Sequence, residues 1–102
     1  MIHVIAVIDL NPGTRDAFVV EMKKIVPLVK AENGCLEYGP AVDFASGAAD
    51  QLTLGENTVV VVEKWADLDA LNVHRKAQHM IDFRPKVKDY VKSIKLQILK
   101  PC

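Results

Sequence analysis

A carboxylate, the only tryptophan and two histidines fall between residues 63 and 80 of a largely aliphatic chain. Glu63 and Trp65 are two positions apart, so on a strand their side chains lie on one face. A carboxyl group against an apolar, aromatic wall should have a raised pKa, and His74 titrates near neutral pH and suits general base catalysis. This pattern fits a small-molecule pocket. It also fits a structural role in which Glu63 pairs with a cation, Trp65 packs in the core and His74 braces a helix bend.

A metal site is the third interpretation of this stretch. His74 and His79 are five residues apart, which on a regular helix separates them by about 140°, whereas paired zinc ligands on a helix lie four apart. No cysteine or acidic cluster supplies a third ligand at a recognisable spacing. We therefore expect no metal, and we interpret His79 and His3 as ordinary surface or partner-facing histidines.

Composition limits the class of protein. The 102 residues fit a single domain spanning 1–102, and half of them are hydrophobic, which favours an oligomer that buries apolar surface. Thirteen basic and thirteen acidic residues are interspersed, so we expect no nucleic acid or membrane partner. The apolar N-terminus is too short for a membrane span and has no basic leader, which predicts a cytoplasmic protein. Cys35 and Cys102 are expected to be free thiols.

Alternating and helical periods predict the order β-α-β-β-α-β. A first strand at 2–10 presents Ile5 and Val7 on one face, and a helix follows that ends at Asn33-Gly34. Residues 35–44 form a second strand broken by Gly39-Pro40, and 45–57 form a loop with a short strand at 52–54. Four valines mark a strand at 58–65. Asp67 begins a short helix, a bend follows near 73–77, a helical stripe runs from Met80 to Val91, and a final strand covers 93–101.

This order predicts an α+β fold of the ferredoxin-like class, with an antiparallel sheet and both helical segments on one of its faces. The uncovered face would carry Ile5, Val7 and part of the valine run. Such a face is too apolar to remain in water, so we expect a homodimer that packs sheet face against sheet face, as a dimeric α/β barrel.

Two motifs on this topology resemble the antibiotic biosynthesis monooxygenase family. One is E-N-G-C-x-x-Y from Glu32 to Tyr38, and the other is Glu63-x-Trp65 followed nine residues later by His74. The resemblance covers nearly the whole chain. It departs from the family pattern at Asn33, where a proline is often found, and in the longer segment between Phe44 and Thr58. The first strand also lacks the asparagine that marks haem-degrading members.

The resemblance implies a cofactor-independent monooxygenase that acts with molecular oxygen on an electron-rich aromatic, such as a quinol, an anthrone or a polycyclic phenol. It implies a small aromatic substrate and no cofactor. The implied catalytic residues are His74 and Glu63, and the implied substrate-binding residues are Trp65, Tyr38 and Phe83. The alternative is a small-molecule-binding or stress-response dimer of the same fold without turnover, because one fold hosts many functions.

Overall fold

The computed structural model describes all 102 residues and contains four strands and three helices. In chain order these are β1 (Ile2–Leu10), α1 (Arg15–Lys30), β2 (Cys35–Ala41), β3 (Thr58–Trp65), α2 (Leu68–Arg75), α3 (Gln78–Val87) and β4 (Val91–Leu99). None of the helices has the length and apolar character needed to cross a lipid bilayer.

The strands form one antiparallel sheet in the order β2-β3-β1-β4. This confirms the α+β ferredoxin-like fold. Strand β3 occupies the predicted residues because its valine run favours extended backbone and fills both faces of a central strand. On the face without helices, Ile5 pairs with Val62 and Val7 pairs with Val60, and all four side chains are partly exposed.

The helices pack against the other face of the sheet. The predicted inward positions of α1, at spacings of three and four, are all buried, and they are Phe18, Met22, Ile25 and Val29. After α1 the chain turns at Gly34, whose φ of +84° is a backbone conformation that glycine adopts without strain. A Cβ on Gly34 would also lie 2.7 Å from the Cβ of Ala70, so this glycine lets α2 approach the turn closely.

A break between α2 and α3 sets the direction of the histidines. The Asp67 side chain accepts a hydrogen bond from the backbone N–H of Ala70 at 2.8 Å and begins α2, as expected. Helix α2 ends at Arg75, and α3 starts at Gln78. Because the two helices are not continuous, the angular separation of a regular helix does not apply to His74 and His79.

The structure corrects the predicted ends of α3 and β2, the predicted strand at 52–54, and the final strand, which covers Val91–Leu99 instead of 93–101. The helical stripe does not reach Val91: α3 ends at Val87, and Val91 instead pairs with Leu10 as the first residue of β4. The backbone N–H of Asn11 donates to the carbonyl of Tyr90 at 2.8 Å, which fixes this turn against the end of β1. Residues 52–54 form no strand, and β2 ends at Ala41. The segment that follows is closed by Asp43, whose carboxylate accepts from two backbone N–H groups near its end.

Candidate active site

An apolar cavity of about 830 Å³ lies between the helix-facing side of the sheet and helices α1 and α3. Fifteen of its 21 lining residues are hydrophobic, so a bound molecule would contact mostly apolar side chains. Val4, Ala6 and Ile8 form its floor on β1, while Phe18 and Phe83 project into it from α1 and α3. A volume of this size fits a compact aromatic molecule of several rings.

His74 is the buried imidazole of this cavity. It lies in the last turn of α2, lines the cavity and is 5% exposed. Its ring centroid is 4.6 Å from that of Trp65 and 5.5 Å from that of Tyr38, so two aromatic rings fix its plane. Burial lowers the pKa of His74, although the hydrogen bond to Glu32 opposes that shift. The ring is therefore kept neutral and basic at neutral pH.

Glu32 joins both histidines, and sequence reasoning did not identify this contact. Its Oε2 atom lies 2.8 Å from Nδ1 of His74 and 2.8 Å from Nε2 of His79. Glu32 follows the end of α1, whereas the histidines lie on either side of the break between α2 and α3. The other carboxylate oxygen, Oε1, is buried and has no hydrogen-bond partner. His79 is thus a partner of Glu32, whereas we expected an ordinary surface or partner-facing histidine.

This contact determines which nitrogen of His74 is free. A carboxylate oxygen only accepts hydrogen bonds, so Nδ1 of a neutral His74 carries the proton and Nε2 carries the lone pair. Nε2 has no partner within the chain and is not among the fully buried unpaired atoms, so it reaches accessible surface. His74 lines the cavity and Glu32 does not, so we infer that the basic nitrogen is the one that a molecule bound there would meet.

Glu63 and Trp65 share the helix-facing side of β3, as their spacing predicted. The indole Nε1 of Trp65 donates to Oε1 of Glu63 at 2.9 Å. Burial raises the pKa of Glu63 to about 7, and the hydrogen bond from Trp65 only partly opposes this. Glu63 lines the cavity. Trp65 is completely buried and does not line it, so the indole supports Glu63 and His74 from behind.

Tyr38 and Phe83 also line the cavity. Tyr38 is 3% exposed, its hydroxyl faces the sulfur of Met22 at 3.9 Å, and burial raises its pKa well above the ordinary value. Tyr38 therefore stays a neutral phenol. Phe83 meets Phe18 edge to face, with ring centroids 6.1 Å apart. These rings give the cavity rigid aromatic walls.

Three cations lie among the lining residues, and they are Arg75, Arg84 and Lys88. All three are exposed and none forms an ion pair within the chain. An Nη2 group of Arg84 donates to the carbonyl of Arg75 at 2.6 Å, which connects α3 to the end of α2. The only acidic lining residue is Glu63. The cavity therefore combines an apolar interior with a positively charged border.

The structure brings four of the five residues implied by the resemblance to one cavity, and these are His74, Glu63, Tyr38 and Phe83. It places Trp65 behind them. The acid that contacts His74 is Glu32, whereas Glu63 contacts Trp65. One sequence signal did include Glu32, because it begins the motif that ends at Tyr38. That signal did not reveal a contact with a residue 42 positions away.

Comparison with known proteins gives consistent matches. The family model described as antibiotic biosynthesis monooxygenase matches residues 1–86. The "Probable quinol monooxygenase YgiN" of Escherichia coli K12 is 36% identical over 103 residues, which cover 99% of this chain and 98% of that protein. The "Putative monooxygenase YcnE" of Bacillus subtilis is 32% identical over 89 residues, which cover 87% of this chain and 84% of that one.

Solved structures share the fold. The crystal structure of PA3566 from Pseudomonas aeruginosa superposes with a TM-score of 0.81 at 25% identity, covering 99% of this chain and 93% of that one. The family match extends over most of the chain and includes both motifs, the five residues implied by the resemblance, and Glu32 and His79. The chain therefore belongs to the antibiotic biosynthesis monooxygenase family.

Proposed function

We propose that this protein is a monooxygenase that needs no bound cofactor and oxidises an electron-rich aromatic, such as a quinol, an anthrone or a polycyclic phenol. The observation that carries the proposal is the placement of His74, which lines an apolar cavity of about 830 Å³ while Glu32 holds its Nδ1. The similarity to a protein named as a probable quinol monooxygenase supports the substrate class.

The chemistry uses the electrons of the substrate. His74 Nε2 removes a proton from a phenol or from an activated C–H group and leaves an anion that transfers one electron to oxygen. The substrate radical and superoxide then combine through a C–O bond and form a peroxide. For an anthrone, loss of water from this peroxide converts CH₂ to C=O, so one oxygen atom enters the product and the other leaves as water. The protein supplies a base, orientation and shelter from solvent.

Each of the other residues has a distinct role in this proposal. Glu63, with a pKa of about 7, exchanges a proton near neutral pH and receives a hydrogen bond from a substrate hydroxyl. Tyr38 and Phe83 are the walls against which a flat ring lies. Trp65 contributes through its hydrogen bond to Glu63 and its contact with His74, so it is a positioning residue more than a surface for the substrate.

The proposed active form is a homodimer formed through the uncovered sheet face. Ile5, Val7, Val60 and Val62 form two adjacent cross-strand pairs on that face, with Glu37 and Lys64 paired beside them at 3.2 Å. Apolar side chains surrounded by polar ones are typical of a subunit interface. Association of two copies would remove this patch from water.

The function is tested with ¹⁸O₂ and purified protein treated with a chelator. A panel of quinols, anthrones and polycyclic phenols is incubated with the protein, and the products are analysed by mass spectrometry. The proposal predicts that one labelled oxygen atom enters a product, at a rate that saturates with substrate. Saturable binding of the panel without any oxygen consumption would instead support the binding protein, and loss of activity on chelation would show a need for metal.

A further inference from the structure

We propose that Glu32, His74 and His79 bind one divalent transition-metal ion of the Zn²⁺ type, and that the bound ion inhibits the enzyme. The binding half of the proposal stands on the geometry of these three residues alone. The inhibitory half rests on the proposed function, because it requires His74 to act as a base.

The three side chains already converge as ligands. One oxygen and two ring nitrogens lie within 4.8 Å of one another, and Oε2 of Glu32 is 2.8 Å from each nitrogen. Zinc binds histidine nitrogen and carboxylate oxygen at about 2.0–2.2 Å, so its ligand atoms are themselves roughly 3 Å apart. A small contraction around an ion would therefore replace the two hydrogen bonds by three coordinate bonds.

The ligand set selects the class of ion. Two imidazoles with one carboxylate suit Zn²⁺ and neighbouring transition metals, whereas Ca²⁺ and Mg²⁺ prefer sites made of oxygen atoms. Three protein ligands leave a fourth position for water. The side chains of His79 and Glu32 are 23% and 12% exposed, so an ion can enter from the protein surface without passing through the cavity.

The buried carboxylate oxygen of Glu32 is an independent observation in favour of a cation. Oε1 has no hydrogen-bond partner in the folded chain, and a buried acceptor without a partner is destabilising. An ion coordinated by Glu32 would place positive charge beside this carboxylate.

The position of the site explains why the ion would inhibit. His74 lines the cavity, but Glu32 and His79 do not, so the ion lies on the Nδ1 side of His74 and away from a bound substrate. Coordination requires the lone pair of Nδ1, so the proton of the neutral ring moves to Nε2. A protonated Nε2 donates a hydrogen bond and cannot accept a proton from the substrate.

Zn²⁺ binding is measured by competition with a chromophoric chelator, which needs no turnover. We expect one ion per chain, and we expect His79→Gln and Glu32→Gln each to weaken binding at least about tenfold, since even the loss of a residue supporting a ligand costs that much. Circular dichroism verifies that both variants are folded. His3→Gln is the matched control, because His3 lies on β1 and makes no contact with the site. Its affinity should equal that of the unmodified protein.

Co²⁺ tests which atoms are ligands, because Cys35 and Cys102 are free thiols. A Co²⁺ spectrum without a thiolate charge-transfer band is expected. Three results would overturn the metal site. They are absence of saturable Zn²⁺ binding, an affinity of His79→Gln and Glu32→Gln equal to that of the unmodified protein, and a thiolate band.

Inhibition is measured as oxygen uptake against free Zn²⁺, with each protein compared with its own metal-free rate. The unmodified protein should lose activity over the range of Zn²⁺ in which binding is observed, and His79→Gln should require at least about tenfold more Zn²⁺. Full activity at saturating Zn²⁺ would overturn the inhibitory half alone. Absence of oxygen uptake without metal would instead contradict the proposed function, and the binding measurement would still decide the metal site.

Discussion

Oε2 of Glu32 lies 2.8 Å from Nδ1 of His74, although 42 residues separate them in the sequence. The contact depends on two local features. Gly34 allows the chain to turn after α1, and the break after Arg75 ends α2 directly beyond His74. The result is a carboxylate–imidazole pair that fixes the proton on one nitrogen and leaves the other free, which is the arrangement that an oriented histidine base needs.

Glu32→Gln should lower kcat about tenfold or more and change KM little. The substitution keeps the size of the side chain but removes the negative charge that stabilises the imidazolium formed when His74 takes a proton. Steady-state oxygen uptake measures both constants. Glu56→Gln is the control, because Glu56 is exposed and does not line the cavity. A rise of about tenfold in KM with unchanged kcat would show that Glu32 affects substrate binding, through its contact with His74, and not the proton transfer.

Lys88→Gln should raise KM for an aromatic substrate that carries a carboxylate, by up to about fivefold, and leave KM for its neutral analogue unchanged. Lys88 lines the cavity without an ion pair, and an exposed charge contact contributes about 0.2–1 kcal/mol. Lys86→Gln is the matched control, since Lys86 lies in the last turn of α3, two residues before Lys88, but does not line the cavity. The ratio of KM for the carboxylate substrate to KM for its neutral analogue is compared between the two variants. An equal ratio would exclude a role for Lys88 in anion binding.

Glu63 should make the protein less stable as pH rises through the range from about 4.5 to 7. Its carboxyl has a pKa of about 7 in the folded chain, against 4.5 as the ordinary value, so the native state binds more protons than the unfolded state in this range. The free energy of unfolding attributable to Glu63 therefore falls as pH increases and is constant above the range. The difference corresponds to about 3 kcal/mol for these two pKa values.

Urea unfolding at pH 4.5 and pH 8 tests this contribution. Burial lowers the pKa of His74, which makes stability rise with pH in both proteins. We therefore expect the free energy of unfolding to fall with pH more, or rise less, in the unmodified protein than in Glu63→Gln, because an amide does not ionise. Glu37→Gln should follow the unmodified protein, since the side chain of Glu37 is 52% exposed. Parallel pH dependence in the unmodified protein and in Glu63→Gln would mean that Glu63 ionises freely in the folded state.

Val62→Lys should weaken self-association. Val62 lies on the uncovered sheet face opposite Ile5, and a buried ammonium group in the middle of that patch would have no partner. Sedimentation velocity at micromolar concentration should show a dimer for the unmodified protein and a larger monomer fraction for the variant. Val73→Lys, at a position that is 67% exposed on α2, should remain dimeric. A monomeric unmodified protein would remove the proposed interface.

Local patterns predicted the parts of the fold that local physics determines. The bounds of β3 follow from its valine run, and α2 begins where Asp67 caps it. The end of α3 could not be predicted from local patterns. Val87 and Val91 are four residues apart and fit a helical stripe, yet Val91 pairs with Leu10 in the sheet. Spacing along the sequence cannot decide between helix and strand for Val91, because the outcome depends on pairing with Leu10, 81 residues earlier.

In the site, too, local features were predictable and contacts between distant elements were not. The shared face of Glu63 and Trp65 follows from the period of a strand, and the hydrogen bond between them agrees with it. The contacts of Glu32 with His74 and His79 required the positions of three separate elements. The two histidines would point apart only on one regular helix, and the chain is not helical between α2 and α3 at residues 76–77.

Oxygen uptake by the metal-free protein and by His74→Ala, on the same quinol or anthrone, tests the role of His74 most directly. His3→Ala serves as the histidine control, because His3 does not line the cavity. We expect the rate of His74→Ala to be at least about tenfold lower, which is the lower range of a general-base contribution, with the control unchanged. An unchanged rate in a folded His74→Ala protein would contradict the account, since no base at position 74 would then be needed for the reaction.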